Sequence, residues 1–340
     1  MKIALNDGFQ EGKHLHKRES SEIALLLGNG INRSAGASGG LSWDRLMEML
    51  ITKVSSTALA PADTEKRLKR LIQPGANGQT PASLPEAFDI IDATRTPSDT
   101  KFRLAGKINL QRTIVPLLKD MKPGLPHKAV VNWATHFHVP LLTTNYDHCF
   151  QDALDKPSCR RRKFGSRPLR SDVYPWDRYY APMEIADPAQ DFAIWHIHGD
   201  RDLERSIRVG LDQYMGMVER LRKWKLPVAK EALSRSTDSQ ATPAFHAAPW
   251  LRAFMGKKLW IQGLGLSAAE VSIRWLLIQR FRYWKRFKSE DHFPSGWYVH
   301  APAPENRRLD TERRIFFESV GLKVITITKA DDAYLNLFET

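Results

Sequence analysis

Apolar residues fall along this chain in two rhythms. Up to about Trp133 they recur mostly at helical spacing, and beyond it short apolar runs alternate with helical stretches. Near the start, the run from Glu22 to Leu27 has the length of a buried strand and ends at Gly28-Asn29-Gly30. Ser42 stands where it can cap a helix that begins at Trp43-Asp44 and continues through Leu46, Met47, Leu50 and Ile51. Helical segments follow over residues 66–72, 85–93 and 102–118, separated by Pro74-Gly75 and Thr96-Pro97. Later strands are expected at 139–143, 192–197, 258–262, 297–300 and 323–326, with a short one at 207–209. The helices between them are expected at 147–154, 213–224, 229–236, 268–288 and 311–319, with a last short one closing the chain. Strands alternating with helices of this length predict βαβ units and an α/β, Rossmann-like fold with a parallel sheet. Residues 1–20 read as a polar arm and 21–340 as one domain, with a mostly helical insertion at about 56–135.

Composition narrows the class. With 340 residues, 42% of them hydrophobic, the chain can bury a large core. No apolar run approaches the length of a bilayer span, and the first twenty residues lack the apolar stretch of a secretion signal. A cytoplasmic protein without membrane contact is therefore expected. Two cysteines, Cys149 and Cys159, cannot build a disulfide framework or a cysteine-rich zinc site.

The net charge of +13 raises the question of an acidic partner or nucleic acid. Arg160-Arg161-Arg162-Lys163 reads as a basic loop, and residues 280–288 interleave aromatics with cations. In the second stretch Ile273, Leu277, Phe281 and Trp284 recur at helical intervals, which favours core over base stacking.

Four strings sit where predicted strands end. Gly28-Asn29-Gly30 suits a phosphate loop, but Arg33 stands where a dinucleotide fingerprint needs its third glycine, which disfavours an ordinary nicotinamide dehydrogenase. Thr143-Thr144-Asn145-Tyr146-Asp147 follows a strand, and its Asn and Asp could equally be turn and capping residues. His196 and His198 in His-Ile-His-Gly have a spacing that can chelate a metal, as have His136 and His138. No further ligand cluster joins either pair, so no metal is expected. Gly263-Leu264-Gly265-Leu266-Ser267 followed by Glu270 is a third glycine turn, in which Ser267 and Glu270 could form a capping box.

Taken in this order, G-N-G-I-N, T-T-N-Y-D, H-I-H-G and G-L-G-L-S-A-A-E, the strings resemble those of the sirtuin-like family. The resemblance spans about residues 22–270. It implies a sirtuin-type Rossmann-like fold with NAD as substrate. The four-cysteine zinc module of the deacylases cannot be made here, and Asn32 stands where the family usually has serine. Ser42-Trp43-Asp44 with Met47, and the helical insertion, look like the bacterial branch that hydrolyses NAD in anti-phage defence. That branch implies an NAD glycohydrolase releasing nicotinamide and ADP-ribose, restrained until a partner subunit, self-assembly or a nucleic-acid signal activates it. A silent NAD-binding subunit and a protein deacylase are the alternatives. On this reading His198 is the general base, Asn145 holds water and ribose, and Asp147 contacts nicotinamide or fixes the Asn145 loop. Gly28, Asn29 and Gly30 would cradle the pyrophosphate, and Gly265 and Ser267 would face the adenosine ribose. Asn32, Thr144 and Glu270 complete the expected binding set.

Overall fold

The computed structural model describes residues 22–33, 37, 42–56, 63–74, 80–94, 110–154, 159–164, 172–233, 248–266, 270–287, 295–301, 307–327, 334 and 338. The expected N-terminal arm, Ser267 and most of the last short helix lie outside these residues.

The first apolar run forms β1 (Ile23–Leu27), every residue of which is buried. Ala24 and Leu26 pack into one hydrophobic cluster, and Ile23, Leu25 and Leu27 into another on the opposite face. This is the alternation of a strand covered on both sides, and it makes β1 the centre of the fold. The other strands are β2 (Leu141–Thr143), β3 (Arg160–Lys163), β4 (Arg178–Ala181), β5 (Ile194–His196), β6 (Lys258–Gln262), β7 (Gly296–His300) and β8 (Leu322–Thr326). They form one eight-stranded sheet in the order β3-β4-β5-β2-β1-β6-β7-β8. From β5 to β8 along that order every pairing is parallel; β4 pairs antiparallel with both β3 and β5. The Rossmann-like expectation holds.

Helices α1 (Trp43–Ser55), α2 (Thr64–Ile72), α3 (Leu84–Ala93), α4 (Leu110–Lys119) and α5 (Leu125–His136) fill the segment between β1 and β2. Ser42 caps α1 by accepting the Arg45 amide at 3.1 Å. Leu46, Met47, Leu50, Ile51 and Val54 form its buried face. These residues belong to a third cluster that also buries Tyr146 and Cys149, so the insertion packs directly on the segment after β2. The remaining helices are α6 (Cys149–Ala153), α7 (Leu211–Leu233), α8 (Pro249–Gly256), α9 (Val271–Phe287) and α10 (Arg307–Ser319). No helix among the described residues is long and apolar enough to cross a membrane.

Several expectations are corrected. The basic stretch 160–163 is not a loop but edge strand β3, held against β4 by the Arg162 guanidinium on the Ala181 and Pro182 carbonyls. Cations along an edge also discourage pairing with other chains. Residues 207–209 are not a strand: Ile207 and Val209 are buried under the helical insertion without a strand partner. The two helices expected at 213–224 and 229–236 are one, α7, with 234–236 outside the described residues. Helix α8 was not expected because Trp250, Leu251, Ala253, Phe254 and Met255 are all buried, which leaves no polar face to give a period. Of the residues whose spacing predicts a core face on α9, Ile273, Leu277 and Trp284 are buried and Phe281 is half-buried against the same cluster, and Trp284 donates to the Met255 carbonyl at 3.0 Å.

The turns after β1 and β6 touch backbone to backbone. Gly28 donates to the Gln262 carbonyl at 3.0 Å and Gly30 to that of Gly263 at 2.8 Å. A Cβ on Gly30 would lie 2.6 Å from the Gly263 Cα, whereas one on Gly265 meets nothing within 4 Å. Gly30→Ala should therefore lower stability by about 1–3 kcal/mol in denaturant titration, and Gly265→Ala should leave the midpoint nearly unchanged. Equal effects would show that the two turns do not meet in this way.

Candidate active site

The sheet reverses its direction of winding at β1. On one side of β1 the chain adds β2, goes to edge strand β3 and comes back inward through β4 to β5; it then crosses to β6 and moves outward through β7 and β8 on the other side. The carboxyl ends of strands at such a reversal open onto a crevice where ligands bind in α/β folds. All the motif strings of the sequence end there.

The segment after β2 is fixed through its backbone. The Thr143 hydroxyl donates to the Leu27 carbonyl and accepts the Asn145 amide, both at 3.0 Å, while the Thr144 amide donates to Leu27 at 3.1 Å. On the far side the Asn145 carbonyl accepts from Nδ1 of His196 at 2.7 Å. His196 Nε2, lying 2.6 Å from Gln151 Nε2, accepts from that amide. The Asn145 peptide is thus held at both its N–H and its C=O. Its side chain is 4% exposed, and neither Oδ1 nor Nδ2 has a hydrogen-bond partner. Buried amides are nearly always paired, and leaving one unpaired costs about 1–3 kcal/mol.

Asp147 is buried and accepts from the Cys149 amide at 2.9 Å and from Asn32 Nδ2 at 2.8 Å. Asn32 also donates to Asn29 Oδ1 at 2.8 Å, and its own Oδ1 meets His127 Nε2 at 2.9 Å. Every polar atom of the Asn32 side chain is therefore used inside the protein.

His198 follows β5, its carbonyl accepting the Arg208 amide at 2.9 Å. Gly199 then turns with φ +123°, and a Cβ there would lie 2.4 Å from the Ser206 carbonyl oxygen. The glycine after the histidine is thus a requirement of the turn. The His198 ring is buried, with Nε2 3.0 Å from Ser272 Oγ and the Tyr214 ring against it at 5.2 Å. Burial first, and the Arg208 charge second, push its pKa down to about 3. The sequence alone suggests an imidazole near its ordinary value; the structure makes it one that stays neutral.

Asn145, Asp147 and His198 line one narrow cavity together with Thr144, Asn29 and Glu270. Its apolar side is Trp43, Leu46, Leu118 and Met121, supplied by α1 and by α4 and the residues just after it. The cavity measures about 40 Å³, room for roughly one water. Gly28 and Gly30 do not offer their amides to it, because both are already bonded to the β6 turn. Their part is to let two strand ends meet. Asn32 likewise supports Asp147 instead of facing a ligand, and Gly265 is exposed and does not line the cavity. Ser267 is outside the described residues. Tyr214, Ser272 and His127 join the site from helices α7, α9 and α5, and no strand-end motif pointed to them.

A second polar group lies beside the first. His148 Nε2 is 2.8 Å from Asp200 Oδ1, and the Tyr180 hydroxyl donates to Oδ2 at 2.6 Å. Burial alone would raise the Asp200 pKa, but the hydrogen bond from His148, the nearby His196 and His148 rings and the Tyr180 bond hold it below the usual carboxylate range. His148, Asp200 and Asp202 bring potential metal-ligand atoms within 4.8 Å of one another. Both Asp200 oxygens already accept protein hydrogen bonds. Of the two His-x-His pairs, His138 pairs with Asp191, His196 with Asn145 and Gln151, and His198 with Ser272.

Burial lowers the pKa of His127, His196 and His198 alike. Below about pH 6.5 the unfolded chain takes up protons that these folded rings refuse, so stability falls with acid. The denaturation midpoint should drop from about pH 7 to about pH 5, and His198→Gln should flatten that slope. An unchanged slope in the variant would mean that the His198 ring titrates normally.

No curated protein matches this sequence. The family model for the SIR2-like domain matches residues 140–325, just over half of the chain. The segment after β2, the histidine after β5 and the β6 turn all lie within that span, and the protein belongs to the SIR2-like family.

Proposed function

We propose that this chain, a member of an NAD-using family, hydrolyses the bond between nicotinamide and ribose in NAD. The observation that carries this reading is the Asn145 side chain, buried without a partner on a backbone held at both ends, in the same cavity as His198. A pre-positioned amide that nothing in the protein satisfies is suited to a ligand's hydroxyl or water.

Cleavage at C1′ expels nicotinamide as a neutral molecule, so no strong general acid is needed. The site must support positive charge on the ribose, admit one water and take its proton. Asn145 offers an acceptor to a ribose hydroxyl or the water and a donor to the other. Asp147 adds a buried carboxylate beside the departing ring, whose apolar faces suit Trp43, Leu46, Leu118 and Met121. His198 is neutral with a free lone pair once a ligand hydroxyl or water replaces Ser272. Its low pKa makes it a weak base, which is sufficient because the water becomes acidic only as its bond to C1′ forms.

The cavity of about 40 Å³ is far below the roughly 300–1,000 Å³ of ordinary ligand pockets. We read it as a resting state opened by a partner subunit, self-assembly or a nucleic-acid signal, in keeping with an NAD-depleting effector of anti-phage defence. A second reading, in which the chain binds NAD or ADP-ribose without turnover, needs the same opening of the cavity. Deacylation would instead require an acyl-lysine peptide for nicotinamide release.

The test is nicotinamide release from NAD by the full chain, alone and with proteins recovered from its host. Asn145→Ala and His198→Ala should each lower the rate by about 10²-fold or more while the melting temperature stays close to wild type. Full activity in Asn145→Ala would overturn the site. Tight ADP-ribose binding with no release under any condition would establish the second reading.

A further inference from the structure

We propose that His127 is a positioning residue for this site: it fixes which way the Asn32 amide faces, and through Asn32 it holds the Asp147 carboxylate in the cavity wall. This rests on the reading of the crevice as the NAD site.

The argument starts from a backbone N–H. Helix α5 begins after Gly124, and His127, in its first turn, reaches back so that Nδ1 lies 3.1 Å from the Gly124 nitrogen. A backbone amide can only donate, so Nδ1 must accept. In a neutral imidazole the proton then sits on Nε2, which must donate. Nε2 lies 2.9 Å from the Asn32 side chain, so the atom that Asn32 turns toward it is the oxygen. The NH₂ group therefore faces the other way. One of its hydrogens goes to Asp147 Oδ2 and the other to Asn29 Oδ1, each at 2.8 Å.

The opposite orientation would set the Asn32 oxygen against both the Asp147 carboxylate and the Asn29 oxygen, and put NH₂ against a ring N–H. Three contacts would become repulsive together. The ring is fully buried and packs against Phe150 at 5.3 Å, and burial keeps it neutral. An imidazolium would need a second acceptor in place of the Gly124 amide, so the neutral ring is the form that fits. Asp147 depends on this arrangement because the Cys149 amide holds only one of its oxygens. Asn32 holds the other, the two residues being 115 positions apart in sequence. The chain Gly124–His127–Asn32–Asp147 thus runs from the end of the helical insertion to the cavity, joining the turn after β1 to the segment after β2. His127 lines no part of the cavity. It acts only through Asn32.

The experiment compares His127→Phe, which keeps a ring against Phe150 but removes both hydrogen bonds, with His127→Gln, whose amide can still donate to Asn32. In nicotinamide release, His127→Phe should lower kcat by about 10²-fold with little change in KM, the loss expected when a reacting geometry slips by about 1 Å. His127→Gln should restore most of that loss, and His127→Phe should add nothing in an Asn32→Ala background. Equal loss in the Phe and Gln variants, or full activity in His127→Phe, would overturn the proposal.

Nitrogen-15 NMR of the wild-type chain provides a readout independent of activity and of the folding of any variant. The His127 ring should be neutral with its proton on Nε2, and the Asn32 side-chain NH₂ should exchange slowly. A proton on Nδ1, or an imidazolium near neutral pH, would overturn the proposal even if the variants fail to fold. A wild-type chain that releases no nicotinamide under any condition would refute the hydrolase reading instead, leaving the ring proton to decide the role of His127.

Discussion

A polar group taken out of water must find a partner, and at this crevice neither polar atom of the buried Asn145 side chain has a hydrogen-bond partner. Thr143, His196, Gln151, Asn32, His127 and Asp147 are buried or close to it, and each is tied into hydrogen bonds between strand ends. Two chains of such bonds meet at the segment after β2. One comes from β1 through Thr143 and fixes the Asn145 N–H; the other comes from β5 through His196 and fixes its C=O. From this fixed backbone the Asn145 side chain lines the cavity. The orphaned amide of Asn145 is thus the product of the satisfied groups around it. Preorganisation of this kind is how a protein places a dipole where a reaction will need it.

Much of this was legible in the sequence because strand ends carry their chemistry locally. A continuous apolar run such as Ile23–Leu27 announces a strand buried on both faces, and alternation with helices announces the parallel sheet. The order of the motif strings then places Asn145, Asp147 and His198 at one crevice. What the sequence could not show is where backbone amides are used. Gly28 and Gly30 read as a phosphate cradle because that is what exposed glycine amides do, yet theirs are bonded to the β6 turn. The same holds for Asn32: one position in a loop does not reveal that its side chain turns toward a partner 95 residues away, as it does to His127. Helix-borne contributors were missed for another reason. Tyr214, Ser272 and His127 sit on helices whose periods report the buried face as a whole, and nothing in a period separates a core tyrosine from one against the His198 ring.

Burial has a second consequence, for His198. The sequence suggested a base near neutrality, and the structure gives a ring pushed down to about 3, with Ser272 at its Nε2. A strong base would be of little use in this crevice. The glycosidic bond of NAD carries its own leaving-group activation in the pyridinium charge, so bond breaking can run ahead of nucleophilic attack. A ring that stays neutral across the physiological range would also add no positive charge beside a ribose becoming cationic in the proposed reaction. The low proton affinity is therefore compatible with the proposed chemistry, and it would be poorly matched to a reaction that needs a histidine to ionise a reluctant nucleophile early.

The helical insertion packs on the segment that carries Asn145. Its hydrophobic cluster includes Tyr146 and Cys149, which flank Asp147 in the segment that carries Asn145. Trp43 meets the Tyr146 ring edge-on at 5.8 Å, and the Tyr146 hydroxyl donates to the Arg208 carbonyl, next to the turn that holds His198. Any widening of a cavity of about 40 Å³ has to part Trp43, Leu46, Leu118 and Met121 from these strand-end residues, because the polar side is fixed by the sheet. The ends of β1, β2 and β5 are tied to one another by bonds of 2.7–3.1 Å. A ligand or partner can shift such an equilibrium only by its preference for the open form. On the proposed reading that preference would be expressed on the insertion, whose helices α1 and α4 supply the apolar side of the cavity.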